Sequence, residues 1–190
     1  YVAGYNVNTA AVAMDELNKK VTSLVDSINN MNLTVYEKEL YVHDYLIKNI
    51  AYSVELIDDD PNNDDARVHY AASAILKGSA VCDGYARAFQ LLMNRLGVET
   101  YMVYGDSDSY LYEPYEDFYP NHAWNIIFID GDFYHVDLTL NDITTDQGLA
   151  EYVDYTYFNV TDSLISKDHA DWYTIFDPTP VCDATKWAYK

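Results

Sequence analysis

Only two cysteines occur in the 190 residues, Cys82 and Cys182, and a pair so far apart makes no disulfide framework. Basic residues are also scarce: 11 Lys and Arg stand against 31 Asp and Glu, a formal net charge of -20. That balance excludes nucleic acid and anionic membrane surfaces as expected partners and favours cationic ones, such as lysine-bearing peptides. No apolar run approaches membrane-spanning length, so no membrane insertion is expected. Five prolines and seven glycines beside 49% hydrophobic residues argue against a disordered chain and for one domain with a sizeable core. There is no glycine-rich phosphate loop ending in Lys-Ser or Lys-Thr, no internal repeat and no low-complexity linker. His69, His122, His135 and His169 are scattered, with no pair at zinc-like spacing, so neither a metal nor another cofactor is expected. The acidic run Asp58 to Asp65 has the composition of a calcium loop but lacks its glycine and terminal glutamate, and reads as a solvated loop.

What the chain does have is a cysteine at the mouth of an amphipathic helix. In GSAVCDGYARAFQLLMNRLG, Tyr85, Phe89, Leu92 and Leu96 recur at spacings of three and four, and Gly97 supplies a left-handed stop. The spacing predicts a helix from about Asp83 to Leu96. Cys82 then faces the unpaired N–H groups and positive end of the helix dipole, which stabilise thiolate over thiol. Alone, such a cysteine is more often a small buried hydrophobe.

Two later segments alter that balance. NHAWN, from Asn121 to Asn125, and YHVDLT, from Tyr134 to Thr139, supply a histidine and an aspartate, a base and its orienter. Between them Asp130-Gly131 is a strong signal for a two-residue type I′ hairpin turn. In that register Trp124 faces Asp137 and His122 faces Thr139, so His122, Trp124, Asp137 and Thr139 share one face. Asp137 then lies diagonal to His122, within side-chain reach.

Cys82-x-Gly84-Tyr85-Ala86, His122-Ala123-Trp124-Asn125 and Val136-Asp137-x-Thr139 together resemble the transglutaminase-like superfamily of cysteine enzymes, over about residues 33–169. The resemblance implies an α+β fold with a papain-like core. In it the nucleophile opens a helix packed on an antiparallel sheet, and here additional helices precede it. It implies Cys82 as nucleophile, His122 as general base and acid, and Asp137 as the orienting acid. Leu138 stands where that family usually has proline. Tyr52 and Trp124 are candidate oxyanion and substrate-binding residues, with Trp124 also placed to shield the His122 to Asp137 bond. For Tyr52 a packing role is an equal alternative.

The remaining segments read as supports. Ala10 to Ile28 is predicted as a helix capped near Asn8 or Thr9, with Leu17, Val21, Leu24, Val25 and Ile28 on one stripe. Thr34-x-x-Glu37 is a capping box opening a second helix to about Lys48, with Leu40, His43, Ile47 and Ile50 as its buried face. A short helix is expected from His69 to Leu76, and strands over Val98 to Tyr104 and Tyr152 to Val160. Asp106 to Asn121 is expected as a long loop at the cleft rim, and Thr161 to His169 as a turn or short helix. A single domain is expected, with residues 1–32 a helical extension, 33–169 the core and 170–190 a tail. The chain opens at Tyr1 rather than Met, which suggests a processed or excised segment, so a missing signal peptide says little about export; an extracellular or cell-surface setting is the expectation.

The leading expectation is acyl transfer on peptide or protein amides through a thioester, hydrolysis being favoured over lysine crosslinking because water is the default acceptor. The alternative is a non-catalytic peptide- or glycan-recognition module of a larger surface protein. Thiol reactivity separates the two.

Overall fold

The structure is a computed structural model that describes residues 7–53, 66–108, 120–142, 148–150 and 152–190. Helix α1 spans Val7–Asn29, and α2 spans Val35–Asn49. Strand β1, Ala51–Tyr52, pairs in parallel with β2, Ser79–Ala80, and between them lie a 3-10 turn, Ala66–His69, and α3, Ala71–Lys77. Helix α4, Cys82–Arg95, follows directly. Five further strands, β3 (Thr100–Ser107), β4 (His122–Ile129), β5 (Asp132–Val136), β6 (Phe158–Val160) and β7 (His169–Tyr173), form an antiparallel sheet in the order β6-β5-β4-β3-β7. Two short helices, α5 (Leu138–Asn141) and α6 (Asp162–Ile165), sit between strands. No described helix is long and apolar enough to cross a membrane. The architecture is the expected α+β one, helices packed on an antiparallel sheet.

Local chemistry explains the main elements. Thr34 accepts from the Glu37 N–H while Glu37 bonds back to the Thr34 N–H, so the capping box starts α2 where expected. Asp130 and Gly131 take φ of 54° and 98°, both positive as a type I′ turn requires. The register follows: Ile129 opposes Asp132, and Asn125 opposes Val136. Gly78 and Gly97, at φ 66° and 81°, end α3 and α4.

Several expectations are corrected. Helix α1 begins at Val7, so Asn8 and Thr9 lie inside it rather than capping it. Of the expected buried face of α2, His43, Ile47 and Ile50 are buried and Leu40 is half-buried, while Glu39, Val42 and Leu46 widen that face. Strand β3 runs on to Ser107, with Gly105 inside it opposite His122. A Cβ on Gly105 would stand 2.8 Å from the Trp124 ring and from the Ala170 carbonyl oxygen, so glycine lets three elements close together there. Only Phe158–Val160 of the expected Tyr152 to Val160 strand forms, and His169 opens β7 instead of ending a turn. The acidic run Asp58 to Asp65 and most of the Asp106 to Asn121 loop lie outside the described residues.

The main core gathers Leu17, Val21 and Ile28 of α1, Leu46 and Ile47 of α2, Tyr85, Phe89 and Leu92 of α4, and Ile127, Tyr134 and Phe158 of the sheet. Within it Glu39 is fully buried, its carboxylate accepting from Asn159 Nδ2 at 2.9 Å. Burial outweighs that bond and pushes the carboxyl up to about 8. The folded protein then holds a proton that the unfolded chain releases near the ordinary 4.5, so stability falls as pH rises from about 4.5 to 8. The slope from this residue is about 1.4 kcal/mol per pH unit. Glu39→Gln should remove it: in urea unfolding, the variant is expected to match the parent near pH 4.5 and exceed it near pH 8. A variant no more stable than the parent at pH 8 would contradict the buried, protonated Glu39.

Candidate active site

Cys82 is the first residue of α4. Val81 precedes it in extended conformation and makes no side-chain cap, so the helix N-terminus beside the thiol is not filled by a capping side chain. Gly84 permits the close packing of this turn, since a Cβ there would meet the Val68 carbonyl oxygen at 2.2 Å. Cys82 and Tyr104 pack against Ala86, Met102 and Ala123, which joins the start of α4 to β3 and β4. Asn125 fastens the same join, its Nδ2 donating to the carbonyls of Ala86 and Tyr101 at 3.1 and 3.2 Å.

His122 opens β4 and is fully buried. Its Nε2–H donates to Asp137 Oδ2 at 2.6 Å, which leaves Nδ1 as the nitrogen able to exchange a proton with the nearby Cys82 thiol. Burial alone would disfavour the imidazolium, but the Asp137 charge and hydrogen bond, with the nearby Cys82 thiol, outweigh it and hold the imidazole above its ordinary range. Burial would likewise raise the Asp137 carboxyl. The His122 charge and bond, and a further bond from His169, overcome that and hold it well below the usual carboxylate range.

The chain leaves the sheet at Asp137, unlike the extended ladder expected from the hairpin. Asp137 caps α5, its Oδ1 accepting from the Leu140 N–H at 3.1 Å, so Thr139 lies in that helix rather than opposite His122. The turn presents Oδ2 to the imidazole. Leu138, where the resembled family has proline, is the first helical position, one at which proline is also accommodated.

Trp124 does not line a surface. It is 1% exposed, stacked beneath His122 with ring centroids 5.6 Å apart and an interplanar angle of 23°. Its Nε1–H donates to His135 Nδ1 at 3.0 Å, so neither its ring face nor its donor is available to a substrate. The substrate-binding expectation for Trp124 is therefore corrected to support of the imidazole. Tyr52 pairs with Ala80, two residues before Cys82, and stacks on Tyr85 at 6.4 Å. His43, expected as a core histidine with one hydrogen bond, is buried with two, to Asp44 at 3.2 Å and Asn141 at 2.9 Å.

Three of the scattered histidines enter side-chain groups, while His69 pairs with Asp83. His122, Asp137 and His169 form one group whose ligand-type atoms lie within 4.8 Å of one another, and His135, Asp162 and Cys182 form another. In the first, 2.6 Å between Nε2 and Oδ2 is the separation of a shared proton, shorter than the about 3.3 Å between two ligands of one tetrahedral zinc. In the second, His135 Nδ1 accepts from Trp124, so Nε2 carries the ring hydrogen and gives it to Asp162 Oδ1 at 2.8 Å. A nitrogen carrying hydrogen has no lone pair for a metal.

His169 is the member of the site that sequence reasoning missed. Its Nε2 lies 3.2 Å from Asp137 Oδ2, the oxygen that His122 already engages. The one trace in sequence is the doublet Asp168-His169, and nothing in the spacing ties it to Asp137.

The family model of the transglutaminase-like superfamily matches residues 22–138. The kyphoscoliosis peptidase of Mus musculus is 33% identical over 94 residues, which is 46% of this chain and 14% of that protein. A solved transglutaminase (TGase) structure superposes with a TM-score of 0.52 at 17% identity, over 72% of this chain and 34% of its own. A candidate cysteine protease from Cytophaga hutchinsonii gives 0.48 at 20% identity, over 86% and 54%. The chain thus spans a small part of the peptidase and about a third of the first solved structure. Because the family match takes in more than half of the sequence, with Cys82, His122 and Asp137 all inside it, the chain belongs to the transglutaminase-like superfamily.

Proposed function

We propose that the protein is a cysteine enzyme that transfers the acyl group of a peptide or protein amide through Cys82, His122 and Asp137, with water as the preferred acceptor. The observation that carries this reading is the buried imidazole of His122, held at 2.6 Å by Asp137 and lying close enough to the thiol that opens α4 for the two to act on each other's charge. The Cys82 thiol passes its proton to His122, and Sγ attacks the amide carbonyl carbon, forming an S–C bond as the C=O π pair moves onto oxygen. The oxyanion is met by backbone N–H groups at the start of α4, with the Tyr52 hydroxyl as a second candidate donor. As the C–N bond breaks, His122 gives its proton to the leaving amine and a thioester remains. Water then attacks the thioester, giving a proton back to His122, and the thiolate departs from the carboxylic acid product.

A lysine amine in place of water would give a crosslink by the same steps. The peptidase relative supports hydrolysis, and the net charge of -20 supports cationic substrates such as lysine-bearing peptides. The recognition-module reading would leave the buried Asp137 to His122 to Cys82 arrangement without a use. An amide-substrate profile, run with and without a primary amine and with Cys82→Ala as the blank, tests the proposal. Acid product dependent on Cys82 and insensitive to the amine is expected. Peptide binding without Cys82-dependent product would favour the recognition module.

A further inference from the structure

His169 lies beyond the residues that the family model matches, yet it reaches the centre of the site. Strand β7 carries it, and pairing of His169 with Ser107 of β3 brings the ring beside Trp124, at 4.8 Å between centroids and an interplanar angle of 68°. Its two nitrogens face two different carboxylates: Nε2 is 3.2 Å from Asp137 Oδ2, and Nδ1 is 2.7 Å from Asp168 Oδ1. A carboxylate only accepts, so a hydrogen on Nε2 is directed at Asp137 and one on Nδ1 at Asp168. The imidazole and the Asp137 carboxylate are fully buried, whereas Asp168 is partly exposed and also accepts from the Tyr157 hydroxyl. The other titratable groups nearby are His122, with its ring 5.5 Å away, and His135, on the far side of Trp124 and bonded to Asp162.

We propose that His169 is a positioning residue of the reaction, which holds Asp137 Oδ2 in place and ionised by donating from Nε2 while Asp168 holds the ring from behind. The inference rests on the proposed cysteine chemistry and concerns how its acid is kept fit to orient His122. A carboxylate wholly removed from water needs donors on both oxygens. Oδ1 has the Leu140 N–H, and Oδ2 has two imidazoles. Without His169, Oδ2 keeps only the donor it is meant to orient, and protonation of Asp137 becomes easier.

Alkylation of Cys82 by iodoacetamide, followed from pH 4 to 9 in the parent, His169→Phe and His169→Gln, tests this without a substrate. Phenylalanine keeps a ring against Trp124 and donates nothing. Glutamine can place an amide N–H near the position of Nε2. In His169→Phe the acid limb of the rate profile is expected to move up by about one pH unit, and the rate at pH 6 to fall about tenfold. His169→Gln should recover most of both. A His169→Phe profile superimposable on the parent, or a His169→Gln as impaired as His169→Phe, would overturn the proposal. The readouts separate two failures: His169 variants without effect on a reactive Cys82 sink this inference alone, whereas a reactive Cys82 that turns over no amide sinks the proposed function alone.

Discussion

Asp137→Asn is expected to lower kcat/KM for an amide substrate by about 10⁴-fold while leaving the fold in place. The Leu140 N–H already bonds Oδ1, so an asparagine keeps its oxygen there and turns its NH2 toward His122 Nε2 and His169 Nε2. A donor facing Nε2 forces the His122 hydrogen onto Nδ1, the edge left for Cys82, and the imidazole can no longer take a proton from the thiol or from water. Asp137→Ala also removes the orienting acid, and it strands two buried imidazole donors, which adds a stability loss of about 1–3 kcal/mol. Steady-state kinetics and urea unfolding on both variants separate the two effects. An Asp137→Asn enzyme within tenfold of the parent would show that the carboxylate does not set the tautomer of His122.

Trp124→Ala carries the largest expected stability effect, about 3–5 kcal/mol, because a wholly buried indole is removed from contact with His122, His169 and Trp172. The same change also leaves His135 Nδ1 without its donor. Activity should fall further than stability explains, since the ring beneath His122 sets the plane of the imidazole. The comparison is Ile28→Ala, a core truncation in α1 remote from the site and matched in stability by temperature or urea. If the two lose activity equally at equal stability, Trp124 is ordinary packing.

Much of this site was legible because its determinants are local. Asp130-Gly131 dictates a two-residue turn, and the turn dictates which residues of β4 and β5 oppose each other, so His122 and Asp137 could be brought together from spacing alone. The apolar spacing of α4 placed Cys82 at a helix start in the same way. Parts that depend on distant partners were not legible. Asp137 caps its own turn through the Leu140 N–H, which bends the chain out of the sheet and moves Thr139 away. Strand β7 exists because β3 offers an edge with Gly105 in it, a property of a segment more than sixty residues upstream of His169. Glu39 is buried against Asn159, a partner 120 residues further along the chain.

The central claim, a thiol activated by His122, is tested most directly by the relative alkylation rates of the two cysteines in the folded protein at about pH 6. Cys182 is 1% exposed, and burial together with the Asp162 charge pushes its thiol up, so it serves as an internal reference. Cys82 lies near His122 at a helix start and should be carboxamidomethylated at least about tenfold faster, with His122→Ala removing most of that advantage and Asp137→Ala falling between. Equal labelling of Cys82 and Cys182, unchanged by His122→Ala, would contradict it.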